Sequence, residues 1–263
     1  MSIAAEVRNT AGMAKMKVTV IGGQGAWPTA DAGCSGYLVE ASGQRILMDP
    51  GWATFQGLLR LADPLEIDAV LVSHSHPDHC ADLLPLLRSR ALSEPAADPL
   101  PVYAPAGALD HLLASDAVGA VQRAADLRVV SDGSKVRMGE FDAAFAELPH
   151  HVTNLGVRLS AEGTSVSYTG DGGPDAAVVE LAADADLHIA EATFAEPITG
   201  EDAGLLTDLA TAVEQGAAAG ARQVLLTHLW PGASYDEIVQ ERYGHSSPLV
   251  AVARAGMTWQ APA

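Results

Sequence analysis

Three imidazoles and a carboxylate crowd into six residues at His74-Ser75-His76-Pro77-Asp78-His79. The preceding run, Ile67-Asp68-Ala69-Val70-Leu71-Val72, is apolar and β-branched and reads as a buried strand. The following run, Ala81-Asp82-Leu83-Leu84-Pro85-Leu86-Leu87, starts like a helix. The six residues therefore sit at a strand-to-helix turn, where side chains converge free of a β-ladder. Neutral imidazole and carboxylate are the usual protein ligands for zinc and similar divalent ions. A solvated His-rich loop would use the same residue types, but HxHxDH directly after a buried strand is hard to reach by chance.

Further candidates stand where other apolar strands stop. His150 and His151 follow the strand-like residues 145–148, and His228 ends Val224-Leu225-Leu226-Thr227-His228. Asp171 lies in Tyr168-Thr169-Gly170-Asp171-Gly172-Gly173, a glycine-rich turn after a strand. Ligands at the strand ends of one sheet system converge on one rim. Cys80 follows His79, but the helix starting there should turn it toward the core.

The remaining pattern is layered. Residues 16–21 form a strand running into a turn at Gly22-Gly23-Gln24-Gly25, which lacks the GK[ST] of a phosphate loop. Residues 36–40 and 45–48 make a hairpin closed by Asp49-Pro50-Gly51. A helix is expected over 54–61, a loop over 89–100, a short strand over 101–103 and a helix over 108–113. Strand patterns over 135–148 break at Gly139, and 155–159 pairs with 165–169. Then elements alternate: helix 175–183, strand 187–190, an Ala-rich helix 206–219, strand 223–227 and helix 234–243. Meander strands followed by alternating elements predict layered α and β structure with a sheet core. With no repeat or linker, the expectation is one domain over 16–263 after a loose extension over 1–15, with Met13 or Met16 as alternative starts.

Composition narrows the function. The chain has 263 residues, 48% hydrophobic and 18% charged, which excludes a disordered protein. A net charge of −18 without a Lys/Arg cluster repels phosphate backbones, so a small-molecule substrate is expected and nucleic acid is not. Cys34 and Cys80 alone make no disulfide framework, which fits a reducing cytoplasm. No stretch reaches the roughly 18 apolar residues of a membrane span, and the first fifteen residues lack a secretory apolar core.

Taken in order, these motifs resemble the metallo-β-lactamase fold superfamily, and within it the ribonuclease Z-like and phosphodiesterase-like branch. Asp49-Pro50-Gly51 matches the LDxG turn, and His74 to His79 the HxHxDH motif. His150-His151-Val152-Thr153-Asn154-Leu155-Gly156-Val157-Arg158 matches the third-ligand histidine, with Gly six residues later. That spacing selects His150 over His151. Thr169-Gly170-Asp171 matches the bridging aspartate and Thr227-His228-Leu229 the last ligand. The resemblance implies a four-layer αβ/βα sandwich with two metals at one edge. The first would take His74, His76 and His150, and the second Asp78, His79 and His228, with Asp171 bridging. Two ions about 3.5–4 Å apart can share a water and lower its pKa toward about 7, which supplies hydroxide at neutral pH. Asp78 is the candidate to orient that nucleophile or take its proton. Zinc suits the ligands, with manganese, iron and nickel open. Family members often form homodimers.

One departure shapes the function. The ribonuclease Z-like pattern carries a further histidine after an EATF-like stretch, where it protonates the leaving group. Glu191-Ala192-Thr193-Phe194 is present, but Leu206 stands at that histidine's place. Leucine cannot donate a proton, and general-acid help is worth about 10²–10⁴-fold. Together with the charge, and with no insertion resembling a tRNA-binding arm, this disfavours tRNA processing. The expected activity is hydrolysis of a small ester or phosphodiester, cyclic substrates included. Alternatives are a lactone or β-lactam ring opener, whose leaving group stays tethered, and a metal-binding protein without hydrolytic activity. His188 and His245 are candidates to replace the missing acid, against plainer core and surface roles. Glu191 is a candidate to fix a ligand imidazole, and Trp27 and Trp230 either line a substrate pocket or pack the sandwich edge.

Overall fold

Alternating burial along the strands decides the layers. In β9 (Phe141–Leu148), Phe141, Ala143, Phe145 and Leu148 are buried while Asp142 and Glu147 are exposed. One face thus meets a core and the other faces outward. The computed structural model describes residues 15–116, 119–245 and 247–262. Of the extension expected over 1–15, all but Lys15 lies outside the described residues.

The first half of the chain builds one sheet. Its strands are β1 (Lys17–Gln24), β2 (Gly33–Cys34), β3 (Gly36–Ala41), β4 (Gln44–Met48), β5 (Ala69–Leu71), β6 (Leu100–Ala104) and β7 (Ala125–Val129). Between them lie α1 (Phe55–Leu58), α2 (Pro77–Cys80), α3 (Leu83–Ala91), α4 (Asp110–Leu113) and α5 (Ala120–Ala124). The second half builds the other sheet from β8 (Lys135–Met138), β9, β10 (Asn154–Ala161), β11 (Thr164–Tyr168), β12 (Leu187–Glu191), β13 (Gln223–Thr227) and β14 (Leu249–Val252). Its helices are α6 (Ala176–Leu181), α7 (Leu209–Ala218) and α8 (Tyr235–Tyr243). The last strand, β15 (Thr258–Gln260), returns to pair antiparallel with β1.

The sheet orders are β15-β1-β3-β4-β5-β6-β7, with β2 beside β1, and β14-β13-β12-β11-β10-β9-β8. Between them lies a core that includes Met16, Val18, Tyr37, Met48, Phe141, Phe145, Val157, Tyr168, Ile189 and Leu225. A second cluster joins Leu38, Leu47 and Val70 to Leu83, Leu86, Leu87 and Val121, so the first sheet's outer face is covered by helices. A third packs Leu209, Ala212 and Val213 of α7 and Val239 of α8 on Ala190, Val224 and Leu226. This is the αβ/βα sandwich. No described helix is long and apolar enough to cross a membrane.

Several expected boundaries shift. The strand over 16–21 continues through Gly22 and Gly23, which belong to β1 rather than to a turn. A Cβ on Gly22 would stand 2.2 Å from the Cys34 carbonyl oxygen, so glycine lets β2 lie against β1. The helix over 54–61 shrinks to α1, and the loop over 89–100 begins only after α3 ends at Ala91. The Ala-rich helix starts at Leu209, not Leu206, because Asp208 accepts from the Thr211 N–H and caps it there.

Candidate metal centre

The C-terminal ends of β4, β5, β9, β11, β12 and β13 open on one rim, and every candidate ligand follows one of them, Asp78 and His79 in the short helix α2. Asp49, just after β4, has φ +46°, and His228, just after β13, has φ +55°. Non-glycine residues in this region cost about 1–3 kcal/mol and persist where their surroundings hold them. Asp49 is held by four donors. Its Oδ1 accepts the Ser73 N–H at 2.7 Å, and its Oδ2 accepts the Ser73 hydroxyl at 2.6 Å and the Tyr168 hydroxyl at 2.7 Å. Oδ2 also lies 2.7 Å from His79 Nδ1. Gly51 closes this turn: a Cβ there would stand 1.9 Å from the Asp78 carbonyl oxygen.

Seven side chains gather into two groups. His74, His76, His150 and Asp171 offer ligand atoms within 4.8 Å of one another, as do Asp78, His79, Asp171 and His228. Asp171 belongs to both. Its Oδ1 is 3.2 Å from His79 Nε2, and its Oδ2 is 3.1 Å from His228 Nε2, 3.8 Å from His74 Nε2 and 3.9 Å from His150 Nε2. Asp78 Oδ2 lies 3.2 Å from His228 Nε2 and accepts the Ala26 N–H at 2.9 Å. His150 Nε2 and His76 Nδ1 are 3.2 Å apart. Two ligands about 2.0–2.1 Å from a tetrahedral zinc stand about 3.3 Å apart, so several of these spacings are those of atoms sharing an ion.

The outer ring nitrogens fix the tautomers. A carboxylate only accepts, so His79 carries its proton on Nδ1, facing Asp49. The Ser73 hydroxyl gives its proton to Asp49 and therefore accepts from His74 Nδ1 at 3.0 Å. His150 Nδ1 donates to the Leu205 carbonyl oxygen at 3.1 Å. Thr193 donates to Glu191 Oε1 at 2.5 Å and lies 2.8 Å from His228 Nδ1, so it accepts that ring's proton. In their neutral forms all four rings turn an Nε2 lone pair inward, although His228 Nε2, 3.2 Å from Asp78 Oδ2, is itself placed to carry a proton there. His74 Nε2, His79 Nε2 and Asp171 Oδ1 are buried with no hydrogen-bond partner. Buried polar atoms are otherwise almost always paired, so this donor set fits divalent cations.

Electrostatics divide the rings: burial works to lower His79 and His228, but the Asp171 charge and hydrogen-bonded carboxylates outweigh it and hold both above the ordinary range, so a cation binding there displaces protons. Burial drives His74 well below its ordinary range, adjacent imidazoles adding to the effect, and burial likewise lowers His76 and His150. These rings stay neutral at pH 7, the form that binds metals. Burial works to raise Asp78 and Asp171, yet nearby imidazoles outweigh it and hold both well below the carboxylate range. Burial, then the Asp171 charge, pushes Glu191 up to about 8, so its ionised form depends on positive charge nearby. It also accepts the Gly172 and Thr207 N–H groups.

The other residues singled out in the sequence fall outside the cluster. His151 is exposed and faces Asp202 at 3.7 Å. His188 is buried on the outer face of the second sheet, its Nδ1 2.9 Å from Ser167 Oγ and its ring beside Gly216 of α7, so it cannot serve as the acid. His245 is exposed beyond the C-terminal end of α8, whereas Tyr235 at the other end reaches Thr193. Cys80 is buried, and burial pushes its thiol up to about 12. Leu206 sits between Leu205, bonded to His150, and Thr207, bonded to Gly172 and Glu191, so it lies at the rim. Glu191 steadies an imidazole, as expected, but through Thr193 rather than directly. The sequence flags Asp49 through the LDxG turn and Thr193 through the EATF-like stretch, but not their roles as the hub under His79 and the link to His228.

A two-sheet αβ/βα sandwich with His and Asp gathered at one rim is the metallo-β-lactamase fold. The chain belongs to the β-lactamase superfamily: the "Beta-lactamase superfamily domain" model matches residues 44–229. It is 29% identical to "Probable metallo-hydrolase YhfI" of Bacillus subtilis over 93% of this chain and all of that one. The YhfI crystal structure superposes with a TM-score of 0.83, covering 93% of this chain and 99% of that one at 28% identity. An uncharacterized protein of Mycobacterium tuberculosis is 30% identical over 86% of this chain and 85% of its own. The human short-form tRNase Z, at 21% identity, shares the fold with a TM-score of 0.76 over 94% of this chain and all of its own.

Proposed function

We propose that the chain is a dinuclear metal-dependent hydrolase of a small ester or phosphodiester, cyclic diesters included. The observation that carries this is the pair of ligand groups sharing Asp171, with the Nδ1 protons of His74, His79, His150 and His228 committed elsewhere. His74, His76, His150 and Asp171 would hold one ion, and Asp78, His79, His228 and Asp171 the other, with zinc the best match to these ligands. When bound, such ions lower the pKa of water and draw charge from the ester oxygen. The chain's own residues orient the reaction. Asp78, anchored by the Ala26 N–H, is the carboxylate placed to align water or take its proton. Asp49, Ser73 and Thr193 prevent the imidazoles from turning. Relatives named as metallo-hydrolase and ribonuclease Z support hydrolysis.

Leu206 favours a second reading within the same chemistry. No proton donor stands at this rim position, so strained rings with tethered leaving groups, such as lactones and β-lactams, suit the site. The same feature and the −18 charge weigh against tRNA. Buried free Cys34 and Cys80 suit a reducing cytoplasm. Metal-replete protein assayed on bis-p-nitrophenyl phosphate, cyclic nucleotides, lactones and nitrocefin tests the proposal. Turnover of an ester or diester that stops on chelation supports it; metal uptake without turnover of any of the four would leave a metal-binding protein instead.

A further inference from the structure

Beside the metal centre lies a cleft of about 410 Å³ lined by Phe194, Pro197, Ile198 and Trp230, with Glu196 and Asp202 among its other lining residues. Its walls are continuous with the centre. Phe194 follows Thr193, which holds His228, and Trp230 lies two residues beyond His228. On the other side, Asp202 accepts from the Leu206 N–H, next to the Leu205 carbonyl that holds His150.

The cleft presents fixed aromatic surfaces. Phe194 and Trp230 stack at 5.3 Å and 24°, and Trp27 stands edge-on to Trp230 at 4.9 Å. Trp27 and Trp230 remain 45% and 38% exposed, high for rings of this size so close to a polar centre. Each is tied down by its backbone. The Trp230 N–H donates to Tyr235 Oη at 2.9 Å, and that hydroxyl donates to the Thr193 carbonyl at 2.7 Å. Trp27 follows Ala26, whose N–H is bonded to Asp78. The acidic groups repel anions from the cleft, so an anionic ester group is directed to the metals and an uncharged part of the substrate to the rings.

We propose that this cleft is the subsite for a planar, uncharged aromatic group of the substrate, an aryl ring or a nucleobase, placed on the His228 side of the centre. It rests on the hydrolase reading above and names the substrate class of that site. Stacking on a fixed aromatic platform predicts about a ten-fold gain in affinity.

The test compares phenylphosphonate with methylphosphonate, which differ only in the ring, by calorimetry on metal-replete protein. Phenylphosphonate should bind about ten-fold more tightly. That ratio should collapse toward one in Trp230→Leu and be largely restored in Trp230→Phe, which keeps a ring; Phe194→Leu, which removes the other aromatic wall of the cleft, provides a second lesion. Adenosine monophosphate separates the sources: a greater advantage over methylphosphonate than the phenyl group gives assigns a nucleobase, and a smaller one an aryl ring. Equal affinities for the two phosphonates, or a ring advantage that survives in both leucine variants, would overturn the subsite. A ring advantage in a protein that turns over no ester would sink the hydrolase reading and leave the subsite standing. Ester turnover with no ring advantage would do the reverse.

Discussion

Asp49→Asn tests whether the surroundings of the ligands, and not only the ligands, make the centre. The substitution keeps the shape but replaces one carboxylate oxygen with a donor. The native carboxylate accepts four hydrogen bonds, from the Ser73 N–H, the Ser73 and Tyr168 hydroxyls and His79 Nδ1. An amide turned either way sets its NH₂ against at least one of these donors, inside a site 1% exposed. Leaving a buried donor unpaired costs about 1–3 kcal/mol, and losing a charged acceptor adds a similar amount, so about 2–6 kcal/mol of stability should go. His79 also loses the partner that fixes its tautomer. Outer partners of this kind are worth about 10–100-fold in metal affinity. Urea unfolding of chelated protein reads the first effect, and competition with a metallochromic indicator reads the second. A native urea midpoint together with native metal affinity in the Asp49→Asn variant would refute the reasoning about this hub.

His150→Ala should lose metal while His151→Ala keeps it, read by elemental analysis; the reverse would mean that the loop after β9 is misassigned. With Leu206 at the rim, activated aryl esters and strained rings should turn over far faster than alkyl diesters. Leu206→His should help the poor leaving groups most, by up to about 10²-fold, and similar native rates on alkyl and aryl diesters would show that another acid is in place. Burial lowers His188 from 6.5 to about 4, so the folded state binds fewer protons than the unfolded state between these values. Its contribution is therefore complete above pH 6.5 and is lost as pH falls toward 4, about 2 kcal/mol by pH 5. Unfolding in urea at pH 7 and pH 5 should show a smaller loss in His188→Asn than in the native chain, and an equal loss would contradict it.

The centre was legible where residue type and spacing carry the chemistry. HxHxDH, His150, Asp171 and His228 each follow an apolar strand, and the structure brings all seven side chains together. The hub and its links were not legible. Asp49, Ser73 and Thr193 are common turn residues, and what sets them apart is contact across long stretches of chain, such as Tyr168 reaching Asp49. The same holds for the fold. Amphipathic strands and the Gly139 break could be read locally. The three-residue β15, whose partner β1 lies at the other end of the chain, and β7, with Leu127 and Val129 exposed, carry no comparable pattern. Helix α7 was misplaced by three residues because Thr207 is held by Glu191 and Gly172, contacts invisible to local propensity.

The number of metal ions per chain tests the central claim most directly. Elemental analysis beside native mass spectrometry, on protein purified with zinc and freed of loose metal, should find two ions per chain. Asp171→Ala should retain fewer than two, because both groups share that carboxylate. One ion or fewer in the native chain would contradict a dinuclear centre.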